Sequence, residues 1–130
     1  MGLDNKQKVL MAIYTEYQKD IPEMYKVITA ENLGIDRDIL NMALVKLNNE
    51  QYVTIIEPIY DGPSRIPHSM IIDEMMITRD GIEYVEQKLD IDGKLTGKEK
   101  VQKIKASFLE QGLDVLSDFA AKVTAEIIKA

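Results

Sequence analysis

Residues 29–57, TAENLGIDRDILNMALVKLNNEQYVTIIE, hold the pattern that decides the fold. Thr29 stands where a helix needs an N-cap, and its hydroxyl can accept from a free N–H of the first turn, so residues 30–33 read as a short helix. Gly34 ends that helix, because a helix terminus commonly takes a left-handed residue and glycine adopts it without steric cost. Asp36 caps a longer helix over residues 36–51, whose inner face at helical spacing is Leu40, Ala43, Leu44 and Leu47. The small Ala43 lets this helix come close to its neighbours. A generic helical hairpin would fit equally well up to this point. Residues 52–57, YVTIIE, are β-branched and aromatic, and the strand they predict separates the two readings.

Working outward, Asp4 with Gln7 makes a capping box that opens a first helix, with Leu10, Ile13, Tyr14 and Tyr17 as its buried face. Pro22 prevents that helix from continuing past Lys19 and Asp20. Downstream, residues 58–67 contain Pro58, Pro63, Pro67 and Gly62 and predict an irregular loop. Residues 70–77, MIIDEMMI, predict a second strand. Thr78 then caps a further helix with Ile82, Val85 and Leu89 inward, Tyr84 against the flank of the sheet and Gly81 permitting close packing beneath the hairpin. A helix, a helix-turn-helix, a hairpin and a closing helix make a winged helix-turn-helix domain over residues 1–89, mainly α with a small β-hairpin (α+β).

The order of these elements, with LNNEQYVT at residues 47–54 and TRDGIEY at residues 78–84, resembles winged-helix proteins of the MarR and PadR type. It is most similar to the YjcQ-like winged-helix proteins of phages and prophages of Gram-positive bacteria. That resemblance covers residues 4–89 and the remainder more loosely. It implies a regulator of phage or prophage origin, and it names no catalytic residue.

Residues 90–97, DIDGKLTG, read as a polar linker, and Thr96 with Glu99 forms a second capping box that restarts helix. Over residues 98–130 an apolar stripe then recurs at steps of three and four, through Val101, Ile104, Phe108, Leu116, Phe119, Val123 and Ile127. The stripe drifts across Gly112, which favours two helices over one, with residues 111–114 as a cap and a new start. Such a stripe needs an apolar partner. The first 89 residues are one choice, and the same segment of a second copy is another. The resemblance to PadR-like regulators implies the second, a homodimer through these seven residues. A membrane surface suits the helix poorly, because its polar side carries both signs of charge.

Ordinary globular composition, with 45% hydrophobic and 29% charged residues, excludes a disordered chain. No run approaches the roughly 20 apolar residues of a membrane span. Charges occupy the N-terminal stretch where a signal peptide has its apolar core, so the expectation is a cytoplasmic protein. The absence of cysteine excludes disulfides, thiolate metal sites and a thiol nucleophile. A lone His68 between Pro67 and Ser69 does not make a metal site. Asp73 and Glu74 are adjacent in a strand and point to opposite faces. With no phosphate-binding loop and no nucleophile elbow, the chain reads as non-catalytic and without a cofactor.

For DNA, the candidates are Arg37, Asn41, Val45 and Asn48 on the 36–51 helix and Arg65 on the wing. Asparagines can read adenine edges and arginines a guanine, a phosphate or a narrow minor groove. The charge opposes this use. Residues 1–89 carry 9 Lys and Arg against 15 Asp and Glu, while residues 90–130 carry 7 of each. Phosphate neutralisation normally supplies most non-specific affinity, and here the surplus has the wrong sign. Two expectations follow from the sequence. One is a dimeric DNA-binding transcriptional regulator; the other is an acidic winged-helix module that binds a protein partner.

Overall fold

The structure, a computed structural model, describes residues 2–129. Its described residues form seven helices and two small antiparallel sheets, so the chain is mainly helical with a minor β part. Helix α1 (Asn5–Tyr17) begins at the Asp4 capping box, with the Asp4 carboxylate accepting from Gln7 N at 2.8 Å and the Gln7 side chain accepting from Asp4 N at 3.0 Å. Its buried face is wider than expected. Every residue from Val9 to Glu16 is buried, whereas Tyr17, expected inside, is exposed. Short α2 (Met24–Val27) follows Pro22 and has no counterpart among the expected elements.

Helices α3 (Ala30–Leu33) and α4 (Arg37–Asn49) form as read. Thr29 accepts from Asn32 N, Asp36 accepts from Asp38 N and Ile39 N, and Gly34 adopts φ 63° between them. Gly34 N bonds Glu31 O and Ile35 N bonds Ala30 O, the paired bonds of a Schellman motif. The same pair of bonds closes α4 at Gln51 (φ 65°) without a glycine.

The hairpin is built as two short ladders in place of one long one. Strands β1 (Val53–Thr54) and β4 (Met76–Ile77) pair antiparallel, as do β2 (Glu57–Ile59) and β3 (Ser69–Ile71) further out. Two residues, 55 and 56, separate the ladders on one arm, and four, 72–75, on the other. The interruption has a backbone cause: Ile55 lies at φ 55°, and Met75 N turns back onto Ile72 O. The expected loop at 58–67 therefore starts later, since Pro58 and Ile59 belong to β2.

Thr78 caps α5 (Arg79–Leu89), accepting from Gly81 N. A Cβ at Gly81 would lie 2.5 Å from the Tyr52 carbonyl oxygen, so the close packing expected there is present. Tyr84 stacks on Tyr52 with ring centroids 5.3 Å apart, and its hydroxyl accepts from Gln7 Nε2.

Thr96 and Glu99 form the second capping box and start α6 (Gly97–Glu110); α7 (Asp114–Lys129) follows. Gly112, at φ 71°, ends α6 with Gly112 N bonded to Leu109 O and Leu113 N to Phe108 O. The tail is two helices. Both fold back: α6 contacts α1, and α7 contacts α1 and α3. The expected dimer stripe lies inside the chain. Val101, Ile104, Phe108, Leu116, Phe119 and Val123 are buried in the same core as α1 and α4, and Ile127 packs half-buried against it. The physical reason is that α1 is apolar around its circumference over residues 9–14 and needs cover on every side there.

Two ionic knots fasten this arrangement. Tyr14 of α1 donates to Glu86 of α5 at 2.9 Å, and Glu86 pairs with Lys100 of α6 at 2.9 Å. Burial first, then the Glu86 carboxylate, push the Tyr14 phenol far above its ordinary pKa. Lys19 pairs with Glu16 at 3.1 Å and with Glu126 of α7 at 2.5 Å. Burial pulls the Lys19 ammonium down, but its hydrogen bonds to Glu126 and Glu16 outweigh it and leave the group raised.

Candidate functional site

Three of the residues singled out for DNA, Arg37, Asn41 and Asn48, meet where α4 joins the hairpin, and each has a side-chain donor engaged there. Arg37 Nη2 donates to the His68 carbonyl at 2.8 Å, and Asn41 Nδ2 to the Pro67 carbonyl at 3.2 Å. Asn41 is buried. These two bonds clamp the returning arm of the hairpin loop to the helix. Asn48 Nδ2 donates to Val53 O at 3.1 Å and fixes the start of β1. Val45 is half-buried. Arg65 is exposed on the loop and makes no hydrogen bond or ion pair among the described residues. Each amide keeps a second N–H outside its bond, but the hairpin backbone fixes its orientation, and Asn41 is buried as well. Hence the structure brings three of the five, Arg37, Asn41 and Asn48, together as the joint between helix and hairpin.

The surface around that joint is apolar and acidic. On the hairpin, Ile55, Ile59, Tyr60, Ile66, Ile71 and Met76 are exposed, as is Ile39 on α4. Residues 36–77 carry three basic side chains, Arg37, Lys46 and Arg65, against seven acidic ones. An open groove of about 440 Å³ runs beside α4, lined by Ile39, Met42, Ala43 and Ile66 and by Asp4, Lys6, Asp38 and Lys46. At one edge Lys6 pairs with Glu50 at 2.6 Å, and that hydrogen bond raises the Lys6 ammonium above its usual pKa. Both partners are about a third exposed, so the pair contributes little stability.

Reasoning from sequence missed Ile39 and Ile66, which belong to this groove, and the Glu16–Lys19–Glu126 cluster on the other side of the molecule. The signal for the cluster was present. Glu16 follows the six apolar residues 9–14 on one helix, three positions before Lys19. Among the described residues, no group of three His, Cys, Asp or Glu side chains has a metal-holding arrangement, and no helix is long and apolar enough to cross a membrane.

No family model matches the chain, and no curated protein or solved structure matches it.

Proposed function

We propose that this chain is a non-catalytic winged helix-turn-helix protein whose helix-and-wing face docks another protein. In this reading α3, the Gly34 turn and α4 are the helix-turn-helix, and the 53–77 hairpin is the wing. The observation that carries it is the character of the face where such domains ordinarily meet DNA. Residues 36–77, which build that part of the molecule, expose seven large apolar side chains and carry seven acidic residues against three basic ones. A phosphate backbone gains nothing from such a surface, whereas a protein segment with apolar anchors and a basic rim is complementary to it. The resemblance to YjcQ-like proteins adds a phage or prophage setting to this reading. The other reading, a DNA-binding regulator, keeps Arg65 as its free cation on the wing.

Two measurements separate these readings. Labelled duplexes from the neighbouring genes, titrated at low salt and followed by anisotropy, give no saturable binding at micromolar protein. Saturable binding that weakens linearly in log salt would restore the DNA reading. A photocrosslinker at Met42 or Ile66, placed in the full chain in its native cell, captures one and the same partner from both positions. Ile39→Asp abolishes that capture. Capture that survives Ile39→Asp, or that differs between the two positions, sinks the protein-docking reading.

A further inference from the structure

Elsewhere, α1, α3 and α7 border a half-open pocket of about 240 Å³ with Glu16 and Lys19 in its wall. Glu16 is fully buried, with 0% of its surface exposed. Only one of its carboxylate oxygens is served. Oε2 accepts from Glu23 N at 2.9 Å and faces Lys19 Nζ at 3.1 Å, while Oε1 is buried with no hydrogen-bond partner. A buried carboxylate normally has both oxygens satisfied, because an unpaired one keeps the full desolvation cost. The vacant acceptor calls for a donor, and the surrounding charge says which kind. Glu31, Asp118 and Glu126 also line the pocket, so with Glu16 four carboxylates face two ammonium groups, Lys19 and Lys122. Lys19 is already engaged by Glu16 and Glu126. Apart from Asn32, the rest of the wall is apolar, with Phe119 and Val115 among its members.

We propose that this pocket binds a small organic cation, with an ammonium or guanidinium head that parts the side chains now covering Glu16 Oε1 to reach it, and a short apolar body against Phe119 and Val115. A cationic donor satisfies the orphaned oxygen and the local excess of negative charge together. The apolar wall and the aromatic ring favour a carbon body over bare water. A metal ion fits less well, since no metal-holding cluster exists among the described residues. The volume lies below the ~300 Å³ at which sites for drug-sized molecules begin, so the occupant is small. Bound there, it would bridge α1, α3 and α7 and tighten the hold of the last helix.

The test is an NMR titration of the full chain with n-butylammonium chloride at matched ionic strength. n-Butanol and sodium butyrate serve as neutral and anionic controls. Saturable shifts at Val27, Val115, Phe119 and Val123 with the amine, and none with either control, are expected. Val115→Trp fills the pocket and removes those shifts while leaving the helical circular dichroism in place. Glu16→Gln weakens binding about tenfold or more, the loss of a hydrogen bond to a charged group. Should that variant not fold, Glu31→Gln and Asp118→Asn at the exposed side of the pocket each weaken binding about two- to fivefold. No saturable shift at millimolar amine overturns the proposal. So does an equal response to butanol, which would mean apolar filling alone, or an equal response to sodium or magnesium chloride, which would mean a salt or metal effect.

Discussion

Gly81 sits in the first turn of α5, where alanine would ordinarily be the better helix former by about 1 kcal/mol. Here the balance reverses. A Cβ would meet the Tyr52 carbonyl oxygen at 2.5 Å and Ile77 Cγ1 at 2.7 Å. The carbonyl cannot retreat freely, because it accepts from Thr78 N at 2.9 Å and so joins the hairpin base to the cap of α5. Overpacking against a fixed backbone atom costs about 1–3 kcal/mol, which exceeds the gain in propensity. Gly81→Ala is therefore expected to destabilise the protein by about 1–2 kcal/mol, read as a fall of roughly 3–10 °C in Tm by calorimetry. An unchanged or higher Tm would show that the hairpin does not rest on α5 as described.

Between elements, the strongest polar joint is the one in which Tyr14 of α1, Glu86 of α5 and Lys100 of α6 meet. Its consequence is a pH dependence with a definite sign. The Tyr14 phenol has its pKa raised in the folded chain, by burial and then by Glu86, so the native state holds that proton more tightly than the unfolded chain does. Stability from this joint is complete below the unfolded tyrosine value of about 10 and is lost as pH climbs beyond it, at up to about 1.4 kcal/mol per pH unit. Lys19, also raised, is fully charged below its unfolded value and adds to the same alkaline loss. Tyr14→Phe should cost about 1 kcal/mol at neutral pH and give a visibly shallower decline above pH ~10 in urea-denaturation midpoints. Parallel declines in the two proteins would remove Tyr14 from the joint. At this scale the sequence was a good guide to starts and stops and a poor one to faces. Asp4, Thr29, Asp36, Thr78 and Thr96 all cap the helices expected of them, because capping is local chemistry within four residues. The hairpin was legible as a hairpin but not as two ladders. Nothing in the residue types announces that a β-branched Ile55 will take a positive φ. Asn41 and Asn48, seven positions apart, share one flank of α4. What covers a flank is a long-range contact, and here it is the backbone of the hairpin.

At the scale of the molecule, the question is whether the two tail helices are an appendage or part of the body. Residues 9–14, VLMAIY, are six apolar residues in a row, more than one stripe of a helix can hold. A helix apolar around its whole circumference has to be buried on all sides. A face of Leu10, Ile13, Tyr14 and Tyr17 leaves Val9, Met11 and Ala12 without a partner, and α6 and α7 belong to the cover they receive. The distribution of aromatic residues makes this testable without a label. All six tyrosines precede residue 90, and both phenylalanines, Phe108 and Phe119, lie in the tail. Phe108 is fully buried, and Phe108→Ala should cost about 3–5 kcal/mol, a large part of the ~5–15 kcal/mol that holds such a domain together. If the chain is one cooperative body, the urea midpoint of tyrosine fluorescence falls together with that of the helical circular dichroism, and a chain too weak to fold loses both signals. If the tail were a separate module pairing with a second copy, the tyrosine transition would stay where it was while part of the helical signal melted early. The unchanged tyrosine midpoint is the outcome that would return the seven stripe residues to the role of a dimer surface.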